Sequence, residues 1–271
     1  MKKFCVLQVT ASEPTRKHVD LFGDRDFCDF FFVTYEKEHK DALKFCPNTT
    51  WAETRNILAH LVPKNYYYYV MVDNDYKINS MTLKDPAEQI YEDLNLFNPA
   101  VLSVYPGKGM HLDNVLRKDD FFKSCEFSTH LFMPYGMKCI HHSLLNYFYP
   151  LLVDFDSAFS ACHFSNILEI PFFKDCVCTH NLVYDNLVSD RSGLNYQIQR
   201  MGDMWEWARR GIKKNNHMGS IRDNKNHMDI KEYFVKKIQI EFNNCIMCEK
   251  RKEPIDFLDL DLLLEYFDIN H

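Results

Sequence analysis

Tyr66-Tyr67-Tyr68-Tyr69-Val70-Met71-Val72 is an uncharged run, continuously apolar or aromatic, that passes directly into Asp73-Asn74-Asp75. A strand covered on both faces reads this way, because neither face meets water and no polar alternation is needed. Such a strand lies inside a sheet flanked by helices on both sides. This one also delivers two carboxylates to its C-terminal end, the end at which open α/β sheets bind their ligands.

The neighbouring segments fit that setting. Residues 4–10 read as a strand ending in the polar turn Ala11-Ser12-Glu13-Pro14, and Phe30-Phe31-Phe32-Val33-Thr34-Tyr35 as a second. Thr49 or Thr50 can cap a helix, and Glu53 three residues after Thr50 completes a capping-box pattern. That helix is predicted from Trp51 to about Val62, where Pro63 stops it. Ala100 to Tyr105 is another strand, closed by Pro106-Gly107. Strand, turn, helix and strand in this order predict an α/β three-layer sandwich with a mostly parallel central sheet. Further on, Phe127–Met133 reads as a strand and Lys138–Tyr149 has helical spacing. Phe155–Leu168 reads as a helix with Asp156 near its N-cap, and Val177–Val183 as a late strand.

Composition narrows the class. The chain has 271 residues, enough to bury a core without staples. Its 32 basic and 38 acidic side chains give a formal charge of −6, which excludes a general basic coat for nucleic acid. With 46% apolar and 26% charged residues it is ordinary globular material, and eight glycines exclude glycine-rich architectures. Ten cysteines are scattered without a secretory signal, and the apolar run after Met1-Lys2-Lys3 is short and broken by Gln8. The cysteines are therefore expected reduced and buried, the location cytoplasmic, and a membrane span absent. Between Ala208 and Lys252 the balance reverses, with 12 basic and 5 acidic residues giving +7. Its stretch 211–228 has almost no apolar anchor and is expected to be a mobile loop. The acidic tail 253–271, with leucines among its aspartates, reads as a short docking helix.

Asp73 and Asp75 stand two apart, so on an extended chain they share a face. Two hard oxygen donors suit Mg²⁺ or Mn²⁺. A cation of that kind bridges the phosphates of a nucleoside diphosphate and improves it as a leaving group.

Three stretches together resemble the GT-A-type glycosyltransferases, which transfer a sugar from a nucleotide sugar. They are Tyr69-Val70-Met71-Val72-Asp73-Asn74-Asp75, the preceding Thr49-Thr50-Trp51-Ala52-Glu53-Thr54-Arg55-Asn56, and the spacing from the aspartates to Asp154 and Asp156 and then to His180. The resemblance covers roughly residues 1–190 of a single transferase domain. It implies a nucleotide-sugar half at 1–105 and an acceptor-side half at 106–190; residues 191–271 carry no such resemblance and are expected to form a helical C-terminal extension. By the same resemblance Thr10, Ser12, Tyr35 and Glu36 cradle base and ribose. Arg55 and Asn56 border the nucleotide, Asp73 and Asn74 bind it, and Asp73, Asp75 and His180 hold the metal. Asp156, with Asp154 as the alternative, would be the base of an inverting reaction on an acceptor hydroxyl. The implied donor is a UDP-sugar and the implied acceptor an oligosaccharide or glycoprotein. Size, aromatic content and the missing anchor are also similar to glycosyltransferases encoded by chloroviruses. That likeness implies a xylosyltransferase of capsid-glycan synthesis in the host cytoplasm.

Two other readings compete. A nucleotidyl- or phosphoryl-transfer enzyme would use the same acidic site, but the turn Thr10–Pro14 has no glycine. A non-catalytic binding protein could use the +7 segment on RNA, yet no Phe, Tyr or Trp falls between 208 and 232 to stack on bases.

Overall fold

The structure, a computed structural model, describes residues 3–106, 127–129, 136–151, 168–169 and 175–186. The expectations for Asp154, Asp156, the helix from Phe155, the loop 211–228 and the C-terminal extension lie outside these residues.

The described elements run β1 (Phe4–Thr10), α1 (Arg16–Phe22), β2 (Cys28–Thr34), α2 (Trp51–Leu61), β3 (Tyr68–Asp73), β4 (Tyr76–Ser80), α3 (Pro86–Phe97), β5 (Val101–Pro106), β6 (Phe127–Thr129) and β7 (Met137–His141). A 3₁₀ turn (His142–Leu144), α4 (Leu145–Phe148) and β8 (Cys176–Asn186) follow. All eight strands form one sheet in the order β2-β1-β3-β7-β5-β8-β4, with β6 paired to β8 off this path. β1, β2, β3, β5 and β8 run in one direction. β7, β4 and β6 oppose them. The sheet is therefore mixed, with its parallel majority as expected.

Both faces are covered. Val70 and Val72 of β3 join Phe4, Val6, Cys139, Leu102 and Val104 against Phe22 of α1 and Ala87, Ile90 and Leu94 of α3. On the opposite face Tyr69 donates to the Pro63 carbonyl just beyond α2, at 3.0 Å, and Asp73 meets Arg55 of α2. That alternation explains the apolar run, since every side chain from Tyr68 to Val72 is buried. α2 carries the predicted capping box: the Glu53 amide donates to Thr50 Oγ1, and the Thr50 amide to the Glu53 carboxylate.

Lys138–Tyr149 is not one helix. Lys138 sits in β7, between Met71 of β3 and Ser103 of β5. A central strand and a short helix, both buried, leave apolar residues so dense that the helical period fits by accident. The Lys138 ammonium is fully buried and paired with the equally buried Glu169, with the Phe148 ring 5.9 Å away. The described cysteines 5, 28, 46, 139, 176 and 178 are all buried and reduced. Among the described residues no helix is long and apolar enough to cross a membrane.

Only Asn74 and Asp75 separate β3 from β4, yet these strands are four places apart in the sheet. Four spacings in a flat sheet come to about 19 Å. Three Cα steps from Asp73 to Tyr76 reach at most about 11 Å. The sheet must therefore curl at this end. β8 supplies part of the bend: its register on β5 jumps from Val104↔Thr179 to Tyr105↔Val183, so 180–182 form a bulge. Where the curl closes, the Tyr76 and Tyr184 rings meet edge to face at 4.9 Å, and Gly136 lies under them.

Candidate active site

The site is built on the C-terminal end of β3. Asp73 is the strand's last residue, its amide donating to the Gly136 carbonyl at 3.1 Å. Its carboxylate is paired with the Arg55 guanidinium, which is 7% exposed while Asp73 is 22% exposed. Arg55 is itself held in place. Its Cζ lies 3.4 Å from the centre of the Trp51 ring, and its Nη1 donates to the Trp51 carbonyl at 3.3 Å. A planar cation that stacks on an aromatic face while one nitrogen meets a carboxylate and the other a backbone carbonyl is a geometry only arginine provides. Asn74 and Asp75 form the turn, both half-buried.

The β1–α1 loop lies against this turn. Thr15, the N-cap position of α1, donates its hydroxyl to the Asn74 carbonyl at 2.8 Å. The Thr15 amide donates to Gln8 Oε1 at 2.9 Å, and Gln8 Nε2 lies 2.6 Å from His18 Nδ1. Burial lowers the pKa of His18 to about 4, so the ring is neutral and Nδ1 accepts. Thr10 is buried and donates to the Glu13 carbonyl at 2.6 Å. The carbonyl of Thr10 takes the Tyr35 amide and that of Ala11 the Glu36 amide, at 3.1 and 2.8 Å. Ser12 is half-buried, and Tyr35 and Glu36 are exposed on the same rim. The first two loops and the aspartate turn thus share one end of the sheet.

Two residues of the expected set do other things in this fold. Asn56 turns its amide onto the backbone of Leu151, with Nδ2 donating to the carbonyl at 2.9 Å and Oδ1 accepting the amide at 2.6 Å. His180 is not brought to the aspartates. β4 and β8 pair Tyr76 with Asn186, and the Met81 amide reaches the Asn181 carbonyl. His180 therefore stands at the Met81 end of the ladder and Asp75 at the other, roughly 20 Å apart along the strand. The physical reason is the direction of β8, which runs past His180 before it reaches the turn. Among the described residues no three His, Cys, Asp or Glu side chains converge as a metal group. Trp51 and Thr15 were not anticipated from sequence. A tryptophan one helical turn before Arg55 was the available signal for the first; nothing local announced the second.

The site thus gathers two carboxylates at a strand end, backed by an arginine, beside two loops that offer hydroxyl and backbone groups. No protein-family model matches the chain, and no curated protein matches it in sequence. Its fold is a GT-A-like glycosyltransferase fold. The mannosyltransferase PcManGT from Pyrobaculum calidifontis, solved in complex with GDP-Man and Mn²⁺, matches with a TM-score of 0.52 at 13% identity. The match covers 98% of this chain and 79% of that one. S. aureus TarS 1–349 gives 0.48 at 12% identity over 89% of this chain and 73% of that one. The catalytic domain of Drosophila β1,4-galactosyltransferase 7, in complex with xylobiose, gives 0.42 at 10% over 82% and 84%. At these identities the likeness is one of fold, and it rests on the first.

Proposed function

We propose that this chain is a metal-dependent glycosyltransferase that moves a sugar from a nucleoside diphosphate sugar to a glycan hydroxyl. The observation that carries the reading is the Asp73–Asp75 turn at the end of a doubly buried strand, with Asp73 braced by Arg55. Asp75 and the second oxygen of Asp73 would hold Mn²⁺ or Mg²⁺, hard cations that accept two carboxylates and take their other oxygens from diphosphate and water. The donor set fits such an ion in its chemistry, two carboxylates on one turn. Bound there, the cation offsets the negative charge that grows on the departing diphosphate.

The chain's own residues have distinct tasks in this reading. Arg55 fixes the rotamer of Asp73 and adds positive charge behind it. Thr10, Ser12, Tyr35 and Glu36 rim the space where base and ribose would sit. Asp156, or Asp154, takes the proton from the attacking hydroxyl, which makes the reaction inverting. The donor is a UDP-sugar, with a pentose such as xylose as the narrower expectation. The GDP-Man of the archaeal mannosyltransferase makes GDP-sugars the comparison to run.

Thermal shift with UDP or GDP, each with and without Mn²⁺, tests the site. Stabilisation that requires nucleotide and metal together is expected. Asp75→Asn should abolish it and reduce transfer by at least about a hundredfold with folding intact. Full activity in Asp75→Asn would overturn the reading. Product that keeps the donor's anomeric configuration, seen by NMR, would remove the role given to Asp156.

A further inference from the structure

We propose that Thr15 is a positioning residue for the metal turn, holding the Asn74 carbonyl so that Asp73 and Asp75 present their carboxylates in one fixed arrangement. The inference rests on the metal-dependent reading above.

The turn needs such support. Asp73 is the last residue of β3 to take a ladder partner and Tyr76 is the first of β4, and the two strands are not neighbours in the sheet. β3 and β4 therefore lack the mutual ladder that stiffens the two arms of an ordinary hairpin. The Thr15 hydroxyl reaches across 59 positions of sequence to donate to the Asn74 carbonyl at 2.8 Å. A hydroxyl can hold the turn only if it is itself held. The Thr15 amide is bonded to Gln8, a fully buried residue in the middle of β1. Gln8 is in turn locked by His18, which is 1% exposed on α1. The orientation of this chain is determined. Because Gln8 Oε1 takes the Thr15 amide, its Nε2 must donate to His18 Nδ1, and the ring proton lies on Nε2. That Nε2 faces the Tyr76 backbone without a well-formed hydrogen bond. The turn is thus bracketed, with Thr15 on its first residue and His18 beside the residue that follows it.

The same loop is tied on its other side. Ala11 accepts the amides of Glu36 and Lys37, at 2.8 and 3.0 Å. Groups expected to meet base and ribose and groups expected to meet the metal are consequently parts of one braced unit. A reacting centre displaced by about 1 Å loses on the order of a hundredfold in rate, so a brace at this distance has a measurable consequence.

The test compares Thr15→Val, which keeps the branched shape and removes the donor, with Thr15→Ser, which restores it. Two readouts are needed. Hydrogen exchange of the peptide covering 72–77, in the protein without nucleotide or metal, reads the turn itself. Electron paramagnetic resonance of free Mn²⁺, with UDP or GDP present, reads the metal affinity. Thr15→Val is expected to raise exchange in that peptide several-fold and weaken Mn²⁺ binding about tenfold. Its melting temperature should stay within a few degrees of wild type, and Thr15→Ser should recover both readouts. Unchanged exchange in Thr15→Val overturns the brace. Faster exchange with unchanged Mn²⁺ affinity, or a serine variant as poor as valine, overturns its role at the metal. Wild-type protein that binds no Mn²⁺ with either nucleotide overturns the proposed function, and the exchange result still decides the brace.

Discussion

Arg55 and Asp73, eighteen positions apart, are joined as an ion pair that links the second turn of α2 to the last residue of β3. The helix is fixed at its start by a capping box and at Arg55 by the Trp51 ring, so the arginine reaches Asp73 from a rigid support. The aspartate's rotamer is chosen before any ligand arrives.

Arg55→Lys keeps the charge but loses the planar stack and the second donor on the Trp51 carbonyl. Unfolding in urea should show a loss of about 1 kcal/mol, and Arg55→Ala a loss of about 2 kcal/mol because Asp73 is left partly buried without a partner. Trp51→Ala should move in the same direction as Arg55→Lys. Equal stability in all three would mean that the pair is only a surface contact.

Asn56 offers a clean separation of roles. Its amide satisfies both backbone groups of Leu151, a residue 4% exposed. Asn56→Ala should cost about 1–3 kcal/mol in chemical denaturation, since two backbone groups lose their partners. A nucleotide contact would instead lower UDP or GDP affinity with stability unchanged, and calorimetry on the same variant distinguishes the two.

Gly136 is small because two rings leave no room. A Cβ there would lie 2.8 Å from Tyr184 Cε2 and 3.0 Å from Tyr76 Cε2. Gly136→Ala should destabilise the fold by about 1–3 kcal/mol through overpacking. Tyr184→Leu in the same chain should recover part of the loss, a coupling that a double-mutant cycle measures.

The pKa of His18 falls from 6.5 to about 4, mainly because burial disfavours the charged ring. The unfolded chain therefore takes up this proton first, and stability is lost as pH drops from about 6.5 toward 4. That fall sets an upper bound of about 3 kcal/mol. Asp93 acts in the opposite sense, its carboxyl pushed up chiefly by burial, so the useful quantity is a difference. The stability gap between wild type and His18→Leu, measured by urea unfolding, should narrow across that window. A gap that is flat from pH 7 to 4 would show that the ring is not a buried neutral one.

Much of residues 1–106 was legible because the signals there are local. The aromatic run gave β3, the Thr50–Glu53 spacing gave the start of α2, and short apolar runs gave β1, β2 and β5. α3 was missed although Asp85-Pro86 is a good start signal: Asp85 caps the Ala87 and Glu88 amides at 3.0 and 3.2 Å. β4 was missed because Tyr76-Lys77-Ile78-Asn79-Ser80 is short and its partner strand lies about a hundred residues on. β7 reads as helix in sequence because tertiary burial covers both of its faces. In the site, the two aspartates and Arg55 could be named from sequence, but their partnership could not. His180 was correctly expected on a strand, and it was the register of that strand, a long-range property, that the sequence does not spell out.

The two-residue link between β3 and β4 also limits how this chain can be altered. Surface connections usually tolerate insertions cheaply. Here an added residue would give slack to the span that draws β4 toward β3, and the rings of Tyr76 and Tyr184, held together by the β4–β8 ladder, would move off Gly136 before either aspartate was touched. Loop grafting or library insertion at Asn74-Asp75 should therefore fail as folding, not as catalysis. The backbone span from Asp73 to Tyr76 is a length set by sheet closure, and any ion that binds at this turn must accept it.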